Sequence, residues 1–338
     1  MNLSLLLNHA VNRSLSESDA REAALALMSG EVPPSQVGGL LSALRVRGES
    51  GLEILGFARA LREMAGAFPA VDAACIDTCG TGGDGLSTFN VSTLAGLVAA
   101  AGGARVAKHG NRAVSSRCGS ADLLEGFGLR IDAPPGAVAR CIEESGFGFL
   151  FAPHYHQTLR HLAAIRRELG FRSIFNLVGP LANPARVTRQ VMGVPSMFHM
   201  RPVAEAMQAL GAELAWVVHG HDGSDELALT GHTSVLEVRP DAIESRVIHP
   251  GDAGLSVCRS EELKGGDTAA NVEIAGLILG GERGPRHDFV VMNAAAALVV
   301  AGRALSLREG AEIAREALLS QRARDVLEIA RRISQEAA

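Results

Sequence analysis

Residues 75–108 read CIDTCGTGGDGLSTFNVSTLAGLVAAAGGARVAK, and this stretch decides the fold. Ala73 to Ile76 reads as a short strand, Gly80 to Gly85 as a tight turn with exposed amides, and the small apolar residues from Asn90 onward as a packed helix. A strand that empties through glycines into a helix N-terminus presents successive free N–H groups, with the positive end of the helix dipole behind them. Anionic oxygens bind there. Ser87, Thr88, Ser92 and Thr93 add hydroxyl donors at the same end. The stretch therefore predicts an anion cradle on an α/β sheet.

Two common readings of such a loop fail. Gly80, Gly82 and Gly85 match the dinucleotide fingerprint G-x-G-x-x-G, but that fingerprint needs an acid about 20 residues on to hold the ribose hydroxyls. No Asp or Glu lies between Asp84 and Asp122. A Walker loop fails because Gly85 is followed by Leu86 and Ser87, where Lys and Ser/Thr are required.

A second element follows at once. Ala104 to Ala107 predicts a neighbouring strand, and after it KHGNRAVSSRCGSADLLEGFG (108–128) carries Lys108, His109, Asn111 and Arg112 ahead of Ser115, Ser116, Ser120 and another helix start. Ligands of an open parallel sheet sit beyond the carboxyl ends of adjacent strands, so the two strand ends should share one site.

GTGGD (80–84) with NVST (90–93), then KHGNRAVSSRCGSAD (108–122), resembles the anthranilate phosphoribosyltransferases, the tryptophan-pathway branch of the nucleoside-phosphorylase-like phosphoribosyltransferases. The likeness runs along nearly the whole chain. It includes ALRVRGES (43–50), GFARALREMA (56–65), IRRELGFRSIFNLVGPLANPA (165–185), HGHDGSDELALTG (219–231) and VVMNAAAALVVAG (290–302).

The middle block has its own anomaly. If Leu159 to Leu169 is a helix, Leu159, Leu162, Ala163 and Leu169 share a stripe with Arg166, while Arg160 and Arg167 take the other face. A guanidinium turned inward needs an anion, and its planar fork suits a carboxylate, whether of the protein or of a ligand. The resemblance implies that Arg166 contacts anthranilate. By the same resemblance Asn111 and Gly179 join that pocket with Gly80 and His109, and His109 lies between the two substrates, where it can orient the amine. His109, Asn111 and Arg166 are thus the expected catalytic group.

Asp225 and Glu226 follow a predicted strand, Ala215 to Val218, and the turn Gly220 to Gly223. Adjacent carboxylates at a strand end suit Mg²⁺, which takes oxygen ligands and keeps water and phosphate in its shell. His219, His221 and Asp222 raise a zinc alternative that lacks further ligands nearby. The resemblance implies that Asp225, Glu226 and Ser92 hold magnesium bridged to a diphosphate.

The implied substrates are 5-phosphoribosyl 1-diphosphate and anthranilate, and the implied reaction is displacement at the anomeric carbon to give N-(5-phosphoribosyl)anthranilate. With a good leaving group the protein must neutralise charge and place the nucleophile, with no strong base required. The phosphoribosyl diphosphate is expected against Gly80, Thr81, Gly82, Gly83, Asp84, Thr88, Asn90, Val91, Ser92 and Thr93, and against Lys108, Gly110, Asn111, Arg112, Ala113, Val114, Ser115, Ser116 and Ser120. One departure stands in APHYHQTLRH (152–161), where Gln157 replaces a proline common in the family. His154, Tyr155 and His156 can line the acceptor entrance, though His154 is better read as an ordinary surface residue or cap.

The chain reads as α/β: a small all-helical domain over 1–67 and a large domain over 72–338 with a mainly parallel central sheet flanked by helices, and the resemblance implies that helices from about 154–175 return to the small domain. Near the C-terminus Leu318, Leu319 and Leu327 read as core. The 47% hydrophobic content of this 338-residue chain suffices for a large core. Five cysteines without a CxxC pattern, and no leader or uninterrupted apolar span, predict a cytoplasmic protein. A net charge of −5 with eleven Phe, one Tyr and one Trp argues against a nucleic-acid surface and so against a scaffold-only binder of that kind. A pyrimidine nucleoside phosphorylase of the same fold is disfavoured by KHGNRAVSS and the acidic pair, which suit a diphosphate and metal. By resemblance a homodimer through the helical domain is expected.

Overall fold

The computed structural model describes residues 3–71, 74–113 and 117–336. The first part is helical: α1 (Leu3–Asn12), α2 (Glu17–Ser29), α3 (Pro34–Arg47) and α4 (Gly51–Met64). The RGES turn between α3 and α4 explains itself locally. Ser50 caps α4 in a reciprocal box with Glu53, and the buried Glu53 carboxylate also accepts from the Leu15 amide at 2.9 Å and from Arg47 at 2.5 Å.

The remainder alternates β1 (Ile76–Gly80), α5 (Val91–Ala101), β2 (Val106–Gly110), α6 (Ser120–Gly126), α7 (Pro135–Ser145) and β3 (Phe147–Phe151). Then come α8 (Ala152–Tyr155), α9 (Leu162–Leu169), α10 (Ile174–Val178), β4 (Arg189–Gly193), α11 (Met197–Ala209), β5 (Leu214–Gly220), β6 (Thr233–Val238) and β7 (Ile243–Ile248). Four helices close the chain: α12 (Thr268–Leu279), α13 (Pro285–Val300), α14 (Leu307–Leu319) and α15 (Arg322–Glu336).

The seven strands form one sheet in the order β3-β2-β1-β4-β5-β6-β7. The first five are parallel, and β6 and β7 add antiparallel at one edge. Side chains alternate across it with the period of two that a strand imposes. Ala215 and Val217 pack toward the helical bundle with α11, while Trp216 and Val218 pack in the opposite core with α5, α13, α14 and α15. The central position of β1, between β2 and β4, puts the glycine loop in the middle of the sheet's carboxyl edge.

Four sequence expectations shift. The first strand begins at Ile76, not Ala73 (which lies outside the described residues), and runs to Gly80, so that glycine ends the strand and does not open the turn. The second strand is Val106–Gly110, which puts Lys108 and His109 inside it. Buried polar partners permit these residues in a core strand, so hydropathy alone ended it too soon. The helix expected from Leu159 is broken: a 3-10 turn at Gln157–Leu159 precedes α9, and Ala163 is exposed, its place on the inner stripe taken by Ile165. Leu319 is half exposed, on the last turn of α14, while Leu318 and Leu327 are buried.

α9 and α10 leave the sheet and pack on the first four helices. Leu162, Ile174 and Phe175 share their core, His161 Nε2 lies 2.8 Å from the Leu27 carbonyl, and Phe175 stands edge-on to Phe57 at 5.6 Å. Among the described residues no helix is long and apolar enough to cross a membrane.

Candidate active site

The glycine loop is held at its flanks and open at its centre. Thr81 N donates to the Gly193 carbonyl at 3.0 Å, Leu86 N to Asp84 Oδ1 at 3.1 Å, and Gly265 N to the Ser87 carbonyl at 2.9 Å. Thr88 bridges to Lys264. Among the described residues the amides of Gly83, Asp84 and Gly85 donate to no protein acceptor, which leaves three consecutive N–H groups for an anion. Gly83 has φ of +74°, a conformation that disfavours any side chain. Asn90 begins α5, and its side chain joins Cys118 O at 3.0 Å and Asn271 Nδ2 at 3.1 Å. Asn271 also receives the Gly266 amide at 2.7 Å. The 264–271 segment thus braces the loop from the far end of the chain.

The acidic pair reaches this loop by close backbone approach. A β-carbon on Gly80 or on Gly193 would fall on Asp225, so both strand ends must be bare for Asp225 to enter. Gly82 N donates to Asp225 Oδ2 at 2.6 Å. Burial, then the nearby Asp84 charge, pushes the Asp225 carboxyl up to about 7, against the Gly82 amide and Arg172. Glu226 is raised well above the usual carboxylate range by burial and by Asp225, while Lys108 and the Ser92 hydroxyl oppose the rise.

Lys108 is buried in β2. Its Nζ donates to the Thr78 carbonyl and lies 3.4 Å from Ser92 Oγ. The expected ligands Asp225, Glu226 and Ser92 are therefore gathered, with Asp84 beside them. Among the described residues no three His, Cys, Asp or Glu side chains stand close enough to hold a metal alone. Buried Asp225 and half-buried Glu226, both held toward their neutral forms, with a hydroxyl at hand, nevertheless suit a hard cation that takes its remaining oxygens from substrate and water. The histidines of the zinc alternative are occupied otherwise: His219 Nδ1 lies 2.8 Å from the Val194 carbonyl, and the His221 ring stacks near His232 at 5.3 Å.

On the acceptor side His109, the penultimate residue of β2, points at the return turn. Its Nδ1 lies 3.1 Å from the Gly179 carbonyl, its ring is edge-on to His156 at 5.2 Å, and among the described residues its buried Nε2 has no partner. Burial first, and His156 second, lower His109 to about 3, while burial lowers His156 to about 4. Arg166, half buried on α9, lies over the Phe175 ring at 5.5 Å and makes no ion pair among the described residues. Burial and the like charge of Arg172 lower its basicity. α10 carries Phe175 near its start and leads into Gly179, so this one short helix joins Arg166 to His109.

The remaining expected residues lie along the loop after β2. Asn111 is exposed, and its backbone oxygen accepts from Ser120 Oγ at 3.2 Å. Arg112 is engaged by Asp122 at 3.0 Å and Glu125 at 2.7 Å, and Ala113 N donates to Asp122 Oδ2 at 2.9 Å. Val114, Ser115 and Ser116 lie outside the described residues.

Sequence reasoning missed the layer beneath. Asp77, buried in β1, accepts from the His109 amide at 3.2 Å and from Asn183 Nδ2 at 2.9 Å, with Gln190 Nε2 at 3.3 Å. Burial raises it to about 6. An acid inside an otherwise apolar strand was the available signal. Arg172, above Gly83, was also passed over.

A helical bundle set on an α/β sheet, with an anion loop and buried acids at the carboxyl edge, defines a sugar-phosphate transferase. Residues 72–324 match the model described as glycosyl transferase family, a/b domain, and residues 3–65 the one described as its helical bundle domain. The chain is 49% identical over 330 residues to an anthranilate phosphoribosyltransferase of Rubrobacter xylanophilus, covering 97% of this chain and 96% of that one. It is 50% identical over 318 residues to that of Rhodospirillum rubrum, covering 94% and 91%. The crystal structure of the Thermus thermophilus enzyme superposes with a TM-score of 0.92 at 46% identity, over 98% of this chain and 99% of that one. The Saccharomyces cerevisiae enzyme, solved in complex with PRPP and Mg, gives 0.90 at 26% identity, over 99% and 98%. This chain belongs to the anthranilate phosphoribosyltransferase family.

Proposed function

We infer that this chain transfers the 5-phosphoribosyl group of 5-phosphoribosyl 1-diphosphate to the amine of anthranilate, releasing diphosphate, as a step of tryptophan biosynthesis. The observation that carries the reading is the meeting, at one sheet edge, of a three-amide cradle with the acidic pair Asp225 and Glu226.

In this reading the amides of Gly83 to Gly85 and the N-terminus of α5 bind the phosphate oxygens. Asp225, Glu226 and Ser92 would hold magnesium, which would supply charge neutralisation for the departing diphosphate. Lys108 keeps Ser92 and Thr78 in place from below. Arg166 binds the acceptor carboxylate with its fork, and the Phe175 ring fixes the plane of that guanidinium. His109 is neutral at physiological pH and needs no protonation to work. With Nδ1 held by the Gly179 carbonyl, its Nε2 can accept an N–H of the amine and so orient it for attack. An aromatic amine is already nucleophilic, so positioning and charge neutralisation suffice. Asn111 completes the acceptor pocket.

The division into a helical domain over 1–67 and a sheet domain over 72–338, with 154–175 returning to the first, would put the acceptor in the cleft between them. A homodimer through the helical domain fits the exposed apolar side chains Val46 and Leu52, which lie at the ends of α3 and α4. A cytoplasmic location fits the cysteine pattern. Diphosphate release measured with both substrates, and with each omitted in turn, tests the reading: release should require both. Release of base from a pyrimidine nucleoside with inorganic phosphate would instead mark a phosphorylase.

A further inference from the structure

Arg172 occupies the junction between the acceptor helices and the glycine loop. Its Nη2 donates to the Thr81 carbonyl at 3.0 Å, and a β-carbon on Gly83 would fall on the same guanidinium. Between those two residues the Gly82 amide donates to Asp225 Oδ2 at 2.6 Å. Three consecutive loop residues are thus gripped alternately, by Arg172, by Asp225 and by Arg172 again. Burial lowers the basicity of Arg172, and Arg45 of α3 adds to this, while the charges of Asp225 and Asp84 oppose it. Arg166, four positions into α9, senses Arg172 as a like charge.

We propose that Arg172 is a positioning residue for the phosphoribosyl donor: it sets the shape of the glycine loop and steadies Asp225 for the metal, and it does not bind the acceptor carboxylate. A planar fork can hold a carbonyl with one arm while its charge faces an acid, which a lysine ammonium on a flexible stem reproduces only in part. The bare α-carbon of Gly83 is then required twice, for its φ and for the guanidinium lying on it. The inference rests on the phosphoribosyl-transfer reading.

Steady-state kinetics of Arg172→Ala and Arg172→Lys, with each substrate and Mg²⁺ varied in turn, test it. Loss of one charge-assisted contact should raise the KM for the phosphoribosyl donor and the half-saturating Mg²⁺ on the order of tenfold, with the KM for anthranilate unchanged. Arg172→Lys should recover the Mg²⁺ response but not the donor KM; it also keeps the aliphatic stem, so it carries the comparison should the alanine variant not fold. A rise confined to the anthranilate KM would overturn the proposal, as would lowered thermal stability with wild-type values of all three constants. A double-mutant cycle with Gly83→Ala adds a geometric check: the glycine substitution should cost less donor affinity without Arg172 than with it, and additive losses would contradict the contact. Wild-type protein is the control that separates the two readings. If it fails to bind the phosphoribosyl donor, the transfer reading fails; if it turns over normally while Arg172→Ala matches it, only this proposal fails.

Discussion

The Gly82 amide donates to Asp225 Oδ2 at 2.6 Å, so the glycine loop and the acidic pair form one structural unit. Neither can be arranged without the other. Asp225 in turn fits only because Gly80 and Gly193, on neighbouring strands, leave its side chain and backbone room.

Removing both charges of the acidic pair should therefore abolish turnover. Asp225→Asn combined with Glu226→Gln is expected to lower kcat/KM by roughly 100-fold or more at ordinary Mg²⁺. An unchanged rate would remove the metal assignment.

Arg166 makes no ion pair among the described residues and lies over Phe175. Arg166→Ala should raise the KM for anthranilate by about tenfold or more, the worth of a charge-assisted contact, and by far more than that for the phosphoribosyl donor. An effect limited to the donor would put the residue in the other half of the site.

Gly83 is at φ +74° with Arg172 against its α-carbon. Gly83→Val brings a β-branched side chain into both conflicts and should remove measurable donor binding by calorimetry. Donor affinity that survived the change would make the loop purely structural.

His109 and His156 are both buried in their neutral forms, at about 3 and about 4 against an ordinary 6.5. An unfolded chain takes up protons on these rings below pH 6.5 and the folded one does not, so their contribution to stability is full above 6.5 and is lost as the pH falls toward 4. Denaturant titrations from pH 7 to pH 4 should show that loss, and His156→Phe should flatten it. A variant as acid-sensitive as wild type would assign the loss to other groups.

Much of this was legible in the chain, and the exceptions have physical causes. GTGGD could only be a turn before a helix, because consecutive glycines and an uninterrupted small apolar run admit little else. Lys108 and His109 misled because they are polar residues inside a core strand, with Lys108 Nζ partnered by Thr78 and Ser92 and His109 Nδ1 by Gly179, from elements distant in sequence. Ala163 misled because a helix phase counted from Leu159 does not survive the break before Leu162. Arg172, Asn271 and Gly193 carry no local signal. Their roles depend on which segments meet at the sheet edge, and no spacing along the chain encodes that.

Anthranilate fluorescence, followed in a mixture of the protein, 5-phosphoribosyl 1-diphosphate and Mg²⁺, tests the central claim most directly. The signal should fall only in the complete mixture, with an equal amount of diphosphate released. A constant signal from folded protein that binds the phosphoribosyl donor would contradict the assignment of anthranilate as acceptor.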